Sequence, residues 1–159
     1  MDRLLNLLEE NARYTNEQLA VMLGRTEEDV AAAIEAYEKS GVIRGYKALV
    51  DWDKTGEDKI FARIEIKVTP KKDFGFEEIA RTIMEFEEVQ SVYLMSGGYD
   101  LALTVSGRNF KEVALFVAHR LSPLDSVNST ATHFVLKKYK ERGAILVEEE
   151  KDERRMTLL

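Results

Sequence analysis

Residues 15–30 read TNEQLAVMLGRTEEDV, and this stretch predicts two short helices joined by a tight turn. Asn16 can cap the first helix, and Gly24 can end it because glycine adopts the left-handed conformation of a helix C-terminus without strain. Thr26 then caps the second helix, whose acidic first turn suits the partial positive charge of a helix N-terminus. The stretch therefore predicts a helix-turn-helix.

The flanking residues extend this motif to a three-helix bundle with a wing. A short helix cannot bury an apolar stripe alone, so we expect three of them to pack together. Residues 42–50 then predict a strand or hairpin wing, and the polar residues 51–59 a linker. We therefore assign residues 1–50 to a winged helix-turn-helix domain. The predicted stripes are Leu4, Leu7 and Leu8; Leu19, Val21, Met22 and Leu23; and Val30, Ile34 and Tyr37.

Beyond the linker, the hydrophobic period changes from helical to alternating. Residues 60–140 predict the order β-α-β-β-α-β of a ferredoxin-like domain, so the fold class is α+β. Two helices cover one face of such a sheet, and the uncovered face predicts a dimer. A charged tail follows at residues 141–159, with an extra edge strand at 144–147. The predicted elements are strands at 60–68, 89–95, 101–105 and 127–139, and helices at 76–86 and 110–121.

The composition excludes several functional classes. With 45% hydrophobic and 33% charged side chains in 159 residues, the chain is typical of a globular protein. The absence of cysteine excludes disulfides and thiolate metal sites and suits a cytoplasmic protein. The longest apolar run, residues 113–118, is far below the roughly 20 residues of a membrane helix, so we expect no membrane partner. Because His119 and His133 are isolated and no catalytic motif occurs, we expect no metal, no cofactor and no enzymatic activity.

Three segments, taken together, resemble one family of proteins. They are residues 16–20 (NEQLA), 41–46 (GVIRGY) and 97–103 (GGYDLAL), and their order resembles that of the Lrp/AsnC ("feast/famine") transcription regulators. The resemblance covers about residues 1–140. It implies a RAM-type second domain, a homodimer assembling to an octamer or larger, and winged helices paired on double-stranded DNA. It also implies an amino acid effector that changes assembly or DNA affinity.

Carried over by position, the resemblance also implies an effector site between subunits at the hairpin connection. A glycine-rich turn exposes backbone N–H groups that can hold a carboxylate, and Asp100 can pair with an ammonium group. We expect Gly98 to be the position that requires positive φ. Alternatively, the glycines only form the hairpin and Asp100 supplies its turn hydrogen bond. The implied site residues are Ser96, Gly97, Gly98, Tyr99 and Asp100, with Thr130, Thr132 and His133 on the last strand.

The charge of the predicted reading helix conflicts with DNA binding. Residues 27–39 carry five acidic side chains against the single cation Lys39, and Ala33 stands where family members usually have Arg. Carboxylates repel phosphates, and a net charge of −6 disfavours nonspecific DNA binding. The start of the helix remains favourable for a phosphate, because helix N-termini attract anions. The candidate DNA-binding residues are Arg13, Arg25, Thr26, Lys39, Arg44 and Lys47.

A DNA-binding transcription regulator that responds to an amino acid is the leading interpretation, and two alternatives stay open. Multimers can bind DNA through repeated weak contacts, which favours the regulator despite the acidic helix. The same helix also fits an amino-acid sensor or partner subunit that does not bind DNA itself. A remote third interpretation is a tetrapyrrole decarboxylase, because such enzymes resemble the same two-domain fold. An anionic tetrapyrrole, however, requires a cluster of Arg and His that the sequence lacks.

Overall fold

The chain divides into two units, Met1–Leu49 and Val50–Leu159. Three helices form the first unit. The structure is a computed structural model that describes residues 2–70 and 75–147. Within these ranges, no helix combines the length and apolar character needed to cross a membrane. The helices of the first unit are α1 (Arg3–Glu10), α2 (Asn16–Leu23) and α3 (Glu27–Ser40).

Hydrogen bonds at the helix ends explain where α2 and α3 begin. The predicted cap at Asn16 is wrong by one position, because Thr15 caps α2 and Asn16 is its first helical residue. Thr15 Oγ1 accepts from the N–H of Gln18 at 3.2 Å, and Gln18 Oε1 accepts from the N–H of Thr15 at 3.0 Å. This reciprocal pair is a capping box. Gly24, with φ 66°, ends α2, and Thr26 caps α3, so both of these predictions are confirmed.

The core of the first unit lies between the three helices. The predicted stripe of α2 is partly wrong, because Val21 is 80% exposed and Met22 is also exposed. Leu19 and Ala20 are buried instead, and Val21 lies about 200° around the helix from Leu19, on its outer side. The buried residues are Leu4, Leu8, Leu19, Ala20 and Val30, and Leu7, Leu23, Ile34, Tyr37 and Ile43 pack against them.

Residues 42–50, the predicted wing, form no strand. The backbone N–H of Ile43 donates to Tyr37 O at 3.1 Å, and the hydroxyl of Tyr46 donates to Glu38 Oε1 at 3.0 Å. The segment is therefore held against the end of α3. A strand requires a ladder partner, and the described part of the first unit is otherwise helix and turn, which provides none.

The second unit contains a four-stranded antiparallel sheet with two helices. The strand order is β2-β3-β1-β4, and the chain order is β-α-β-β-α-β, so the predicted α+β, ferredoxin-like class is confirmed. The strands are β1 (Ile60–Val68), β2 (Val89–Leu94), β3 (Leu101–Gly107) and β4 (Val127–Phe134). The helices are α4 (Glu77–Met84) and α5 (Phe110–Phe116), and α5 continues as a π-helical turn, Val117–Leu121.

The sheet buries one of its faces beneath the helices. Along β1, Ala62, Ile64, Ile66 and Val68 are buried, whereas the residues between them are half-buried or exposed, as the predicted alternation requires. The helices and the neighbouring strands complete this core with Ile79, Ile83, Leu101, Leu103, Val105, Val113, Phe116, Val117 and Leu121. The opposite face, which we call the open face, has no helix in the described chain.

The last predicted strand, residues 127–139, is too long. The N–H of Val135 donates to Phe61 O at 2.9 Å, and β1 begins only one residue earlier, so β4 has no further partner. The chain instead forms a hairpin of β5 (Lys140–Glu141) and β6 (Ala144–Ile145), which replaces the predicted edge strand at 144–147. The rest of the predicted tail, residues 148–159, lies outside the described residues. The predicted linker, residues 51–59, groups with the second unit and contains a 3₁₀ turn, Trp52–Lys54.

Two valines provide a matched test of the first core. We expect Val30→Ala to lower the free energy of unfolding by about 2–3 kcal/mol, because Val30 is fully buried and its methyl groups would leave a cavity. The control Val21→Ala should change it by less than about 0.5 kcal/mol, because that side chain is exposed. Urea unfolding followed by circular dichroism measures both, and equal effects would contradict the packing.

Candidate DNA interface and effector site

The outer surface of α3 is acidic. Glu27, Glu28, Asp29 and Glu35 are all exposed, and alanines occupy the exposed positions between them. Lys39 Nζ lies 2.5 Å from Glu35 Oε1, one helical turn away, and both side chains are mostly exposed. The exposed pair contributes little to stability, but it places a carboxylate beside the one cation of this helix. The surface that would enter a groove is therefore repulsive to phosphate over most of its length.

The turn before α3 places a cation and a hydroxyl group at the N-terminus of that helix. Thr26 Oγ1 accepts from the N–H of Asp29 at 3.1 Å, so the hydroxyl hydrogen of Thr26 can still point to a phosphate. Arg25 lies in the same turn, and its positive charge acts on the carboxylate of Asp2, the residue that caps α1. The pKa of Asp2 is lowered mainly by the hydroxyl hydrogen bond from Tyr37, and the charge of Arg25 makes a smaller contribution in the same direction.

The remaining predicted DNA-binding residues lie away from that turn. Arg44 folds its guanidinium against Gly41, within about 3.0 Å of where a Cβ on that glycine would stand, at the C-terminal end of α3. Lys39 lies in the last turn of the same helix, and Lys47 follows Arg44 in the exposed segment. Arg13 lies in the loop between α1 and α2. Because a helix of 14 residues is about 21 Å long, Arg25 and Thr26 at the start of α3 are well separated from the candidates at its end.

Asp100 acts as a structural acceptor in the hairpin connection. Its Oδ2 accepts from the N–H of Val68 at 2.9 Å, and its own N–H donates to Ile66 O at 2.9 Å. These bonds continue the pairing of β3 with β1 at the point where the register of β1 and β4 shifts. The Asp100 carboxylate thus forms a hydrogen bond within the hairpin connection, as the alternative interpretation, in which Asp100 has a structural role, describes. Gly97, with φ 151°, is the glycine at positive φ, so the expectation for Gly98 is wrong.

The sheet register separates the other predicted effector residues. Thr130 and Thr132 pair with Ile66 and Ile64, whose side chains are buried, so both threonines lie on the helix-covered face. Thr130 Oγ1 is 3.4 Å from the hydroxyl oxygen of Ser122 there. His133 pairs with Arg63 and therefore lies on the open face. The predicted set does not form one site, because the two threonines and His133 point to opposite sides of the sheet.

The open face contains a cavity of about 380 Å³ that includes two of the predicted residues, Tyr99 and His133. Its charged groups are Arg63 and Glu65 on β1, with His133 Nε2 3.7 Å from Glu65 Oε1. The remaining lining consists of Ile64, Tyr93, Met95, Ala102 and Leu103. We call this the open-face cavity. It offers one cation, one carboxylate and an apolar wall in a single depression.

Sequence reasoning missed the charged pair of the open-face cavity. Arg63 and Glu65 occupy the non-core positions of β1, so the alternation alone marks them as residues of the uncovered face. Tyr93 lies opposite Ala102 on β3, and Ala102 lies opposite Glu65 on β1. Tyr93 therefore reaches the cavity only because of the register of these three strands. That register links segments about 30 residues apart, and no local pattern predicts it.

Two protein-family models match the chain. A model described as winged helix-turn-helix DNA-binding matches residues 3–44, and a model of the Lrp/AsnC ligand binding domain matches residues 62–145. The first match contains α1, α2 and α3, and the second contains the whole four-stranded sheet except the first two residues of β1.

Individual proteins resemble the chain over most of its length. The HTH-type transcriptional regulator YugG of Bacillus subtilis is 46% identical over 152 residues, which cover 95% of this chain and 92% of YugG. The leucine-responsive regulatory protein of Haemophilus influenzae is 28% identical over 145 residues, 91% of this chain and 87% of that protein. The crystal structure of a Neisseria meningitidis transcriptional regulator in complex with L-methionine superposes with a TM-score of 0.71 at 25% identity, covering 89% and 93% of the two chains.

The structural role of Asp100 can be tested directly. Asp100→Ala should lower the free energy of unfolding by about 1–3 kcal/mol, because it leaves the N–H of Val68 without its acceptor. Asp58→Ala is the control, because that carboxylate is exposed before β1. Thermal and urea unfolding of both variants measure the difference. A stable Asp100→Ala protein that had lost amino acid binding would instead make Asp100 a ligand group.

Proposed function

Because the chain belongs to the Lrp/AsnC family of transcriptional regulators, we propose that it binds promoter DNA and that an amino acid changes its assembly or DNA affinity. The observation that carries this proposal is the combination of a capped helix-turn-helix in one unit with a charged and apolar cavity in the other. The first unit supplies a phosphate-binding turn, and the second supplies groups complementary to a zwitterion.

DNA contact begins at the turn before α3. Arg25 supplies a cation, Thr26 a hydroxyl donor, and the start of α3 its unpaired N–H groups, all of which favour a phosphate. The acidic surface beyond the turn limits the affinity of one unit. Linked copies can raise the overall affinity by factors of about 10² to 10⁴, so we infer that binding depends on oligomers with several such units.

The open face of the sheet is the surface through which we infer dimerisation. It has no covering helix in the described chain, and it exposes the side chains of Tyr93 and Met95, which a second copy can cover. Assembly beyond the dimer, to an octamer or larger, is part of the same proposal. Because the open-face cavity lies on this surface, a bound amino acid would contact the subunit interface. Such a ligand can couple to assembly by about 1–3 kcal/mol.

The chemistry of the open-face cavity favours an amino acid as its ligand. The Arg63 guanidinium can hold an α-carboxylate in a bidentate pair, and Glu65 can accept from the α-ammonium group. Tyr93, Met95 and Tyr99 provide an apolar surface for a side chain. The Neisseria meningitidis regulator in complex with L-methionine supports this ligand class. The glycines at 97–98 shape the hairpin that carries Tyr99, and Thr130 and Thr132 are not part of this proposed contact.

A second candidate function is an amino-acid sensor or partner subunit that does not bind DNA itself. The acidic outer surface of α3, with Lys39 already paired to Glu35, is the observation that favours it. A tetrapyrrole decarboxylase is not supported, because among residues 2–70 and 75–147 Arg63 is the one arginine in the open-face cavity. The relatives are transcriptional regulators, and we propose no catalytic activity and no cofactor.

DNA binding separates the first two functions. The full-length protein should shift a DNA fragment of its own promoter region at physiological salt in an electrophoretic mobility assay. Arg25→Ala should weaken this binding and reduce the slope of log K against log salt by about one, as the loss of one phosphate contact requires. Lys140→Ala in the β5–β6 hairpin is the control. No shift at low or physiological salt, from a normally assembled protein, would favour the sensor or partner subunit.

Amino acid binding tests the open-face cavity. Arg63→Ala and Glu65→Ala should each weaken binding of the effector amino acid by about tenfold or more, because each removes a charge-assisted contact. Lys67→Ala is the matched control, since Lys67 is the next open-face residue of β1 and does not line the cavity. Calorimetric titration with the individual amino acids measures the affinities. If the control weakened binding as much as the two variants, the ligand would lie elsewhere.

A further inference from the structure

A second cavity lies at the opposite end of the sheet from the hairpin connection. Its volume is about 190 Å³, and it is formed where the residues before β1 meet those that follow β4. Trp52, Phe61 and Phe110 supply aromatic walls, and Leu146 from the end of the β5–β6 hairpin adds an aliphatic one. We call it the tryptophan cavity. This cavity contacts the start of β1 at Ile60 and Phe61, whereas the open-face cavity is lined by residues 63–65 in the middle of that strand.

Two ammonium groups converge on one ring of the tryptophan cavity. Lys138 Nζ lies 3.6 Å from the centroid of Phe61 and is 3.4 Å from Glu141 Oε2. Lys59 Nζ lies 4.1 Å from the centroid of Trp52 and 5.7 Å from that of Phe61. Within the described ranges, no carboxylate forms an ion pair with Lys59. Lys138 therefore has a counter-ion in Glu141, whereas Lys59 lies over the rings of Trp52 and Phe61.

This arrangement of charge favours a ligand with a single carboxylate. An ammonium group partly removed from water gains from an aromatic face, and it gains more from an anion that also accepts its hydrogen bonds. The lining carries Lys59, Lys137 and Lys138 against Asp51 and Asp53, so three cations and two carboxylates leave one positive charge for a ligand carboxylate. Trp52 and Phe110 present flat apolar surfaces, and Phe110 is itself held edge-on by Phe134 at 4.8 Å between ring centroids.

We propose that the tryptophan cavity is a second ligand site, which binds a small monocarboxylate with a flat apolar or aromatic body. The carboxylate lies between Lys59 and Lys138, and the body packs against Trp52 and Phe110. This site shares no lining residue with the open-face cavity, and its ligand class differs from the zwitterion expected there. The proposal is therefore independent of the function argued above.

Trp52 is the single tryptophan of the chain, so its fluorescence reports on this cavity directly. Phenylacetate, titrated into the full-length protein at constant ionic strength, should change the Trp52 emission to saturation. Lys59→Met should weaken this binding by about tenfold to a hundredfold, because it removes the charge and keeps an apolar stem beside Trp52. Lys111→Met, an exposed lysine beside Phe110 that does not line the cavity, should bind as the wild type does.

Further measurements make the test independent of the fluorophore. Calorimetric titration of Lys138→Met with phenylacetate should also show weakened binding, and circular dichroism checks that each variant is folded. Benzylamine, with the same ring and an opposite charge, should not bind at comparable concentration. The proposal is overturned if phenylacetate causes no saturable change, if benzylamine or phenylalanine binds equally well, or if Lys111→Met weakens binding as much as Lys59→Met.

Discussion

The alternation of β1 between buried and uncovered side chains is the constraint on which the second unit depends. β1 pairs with β3 on one side and β4 on the other, so its register fixes which residues of three strands share a face. A slip of one residue would place Arg63 and Glu65 in the core and remove the buried isoleucines from it. Asp100 holds the end of this register by accepting from Val68. The same strand therefore determines both the core and the open-face cavity.

Local signals in the sequence predicted the elements, and distant pairings decided the site. The span of β1 followed from its period, and the turn of the helix-turn-helix followed from Gly24 and Thr26. The cap of α2 was misplaced because Thr15 and Asn16 are both good N-cap residues, and only the bond to Gln18 distinguishes them. The end of β4 depends on its partner β1, about 70 residues away, which no local pattern encodes. The separation of Thr130 and Thr132 from His133, in contrast, already follows from the alternation of side chains along one strand.

Charge divides the first unit into a turn that attracts phosphate and a helix surface that repels it. In a monomer these effects oppose one another, so we infer that affinity depends on the number of units that contact DNA together. On this proposal, a change in assembly is what regulates DNA binding. A ligand on the open face of the sheet can change DNA affinity without contacting the helix-turn-helix, provided that it binds one assembly better than another.

The most direct measurement is the affinity of the full-length protein for its promoter region at physiological salt, in the presence and absence of each amino acid. We predict that one amino acid changes the Kd by about 5-fold to 150-fold, the range of a typical coupling between sites. The change should coincide with a change in oligomeric state when the same samples are examined by sedimentation. DNA affinity that is unaffected by every amino acid, in a protein that still binds one of them, would contradict a link between the two sites.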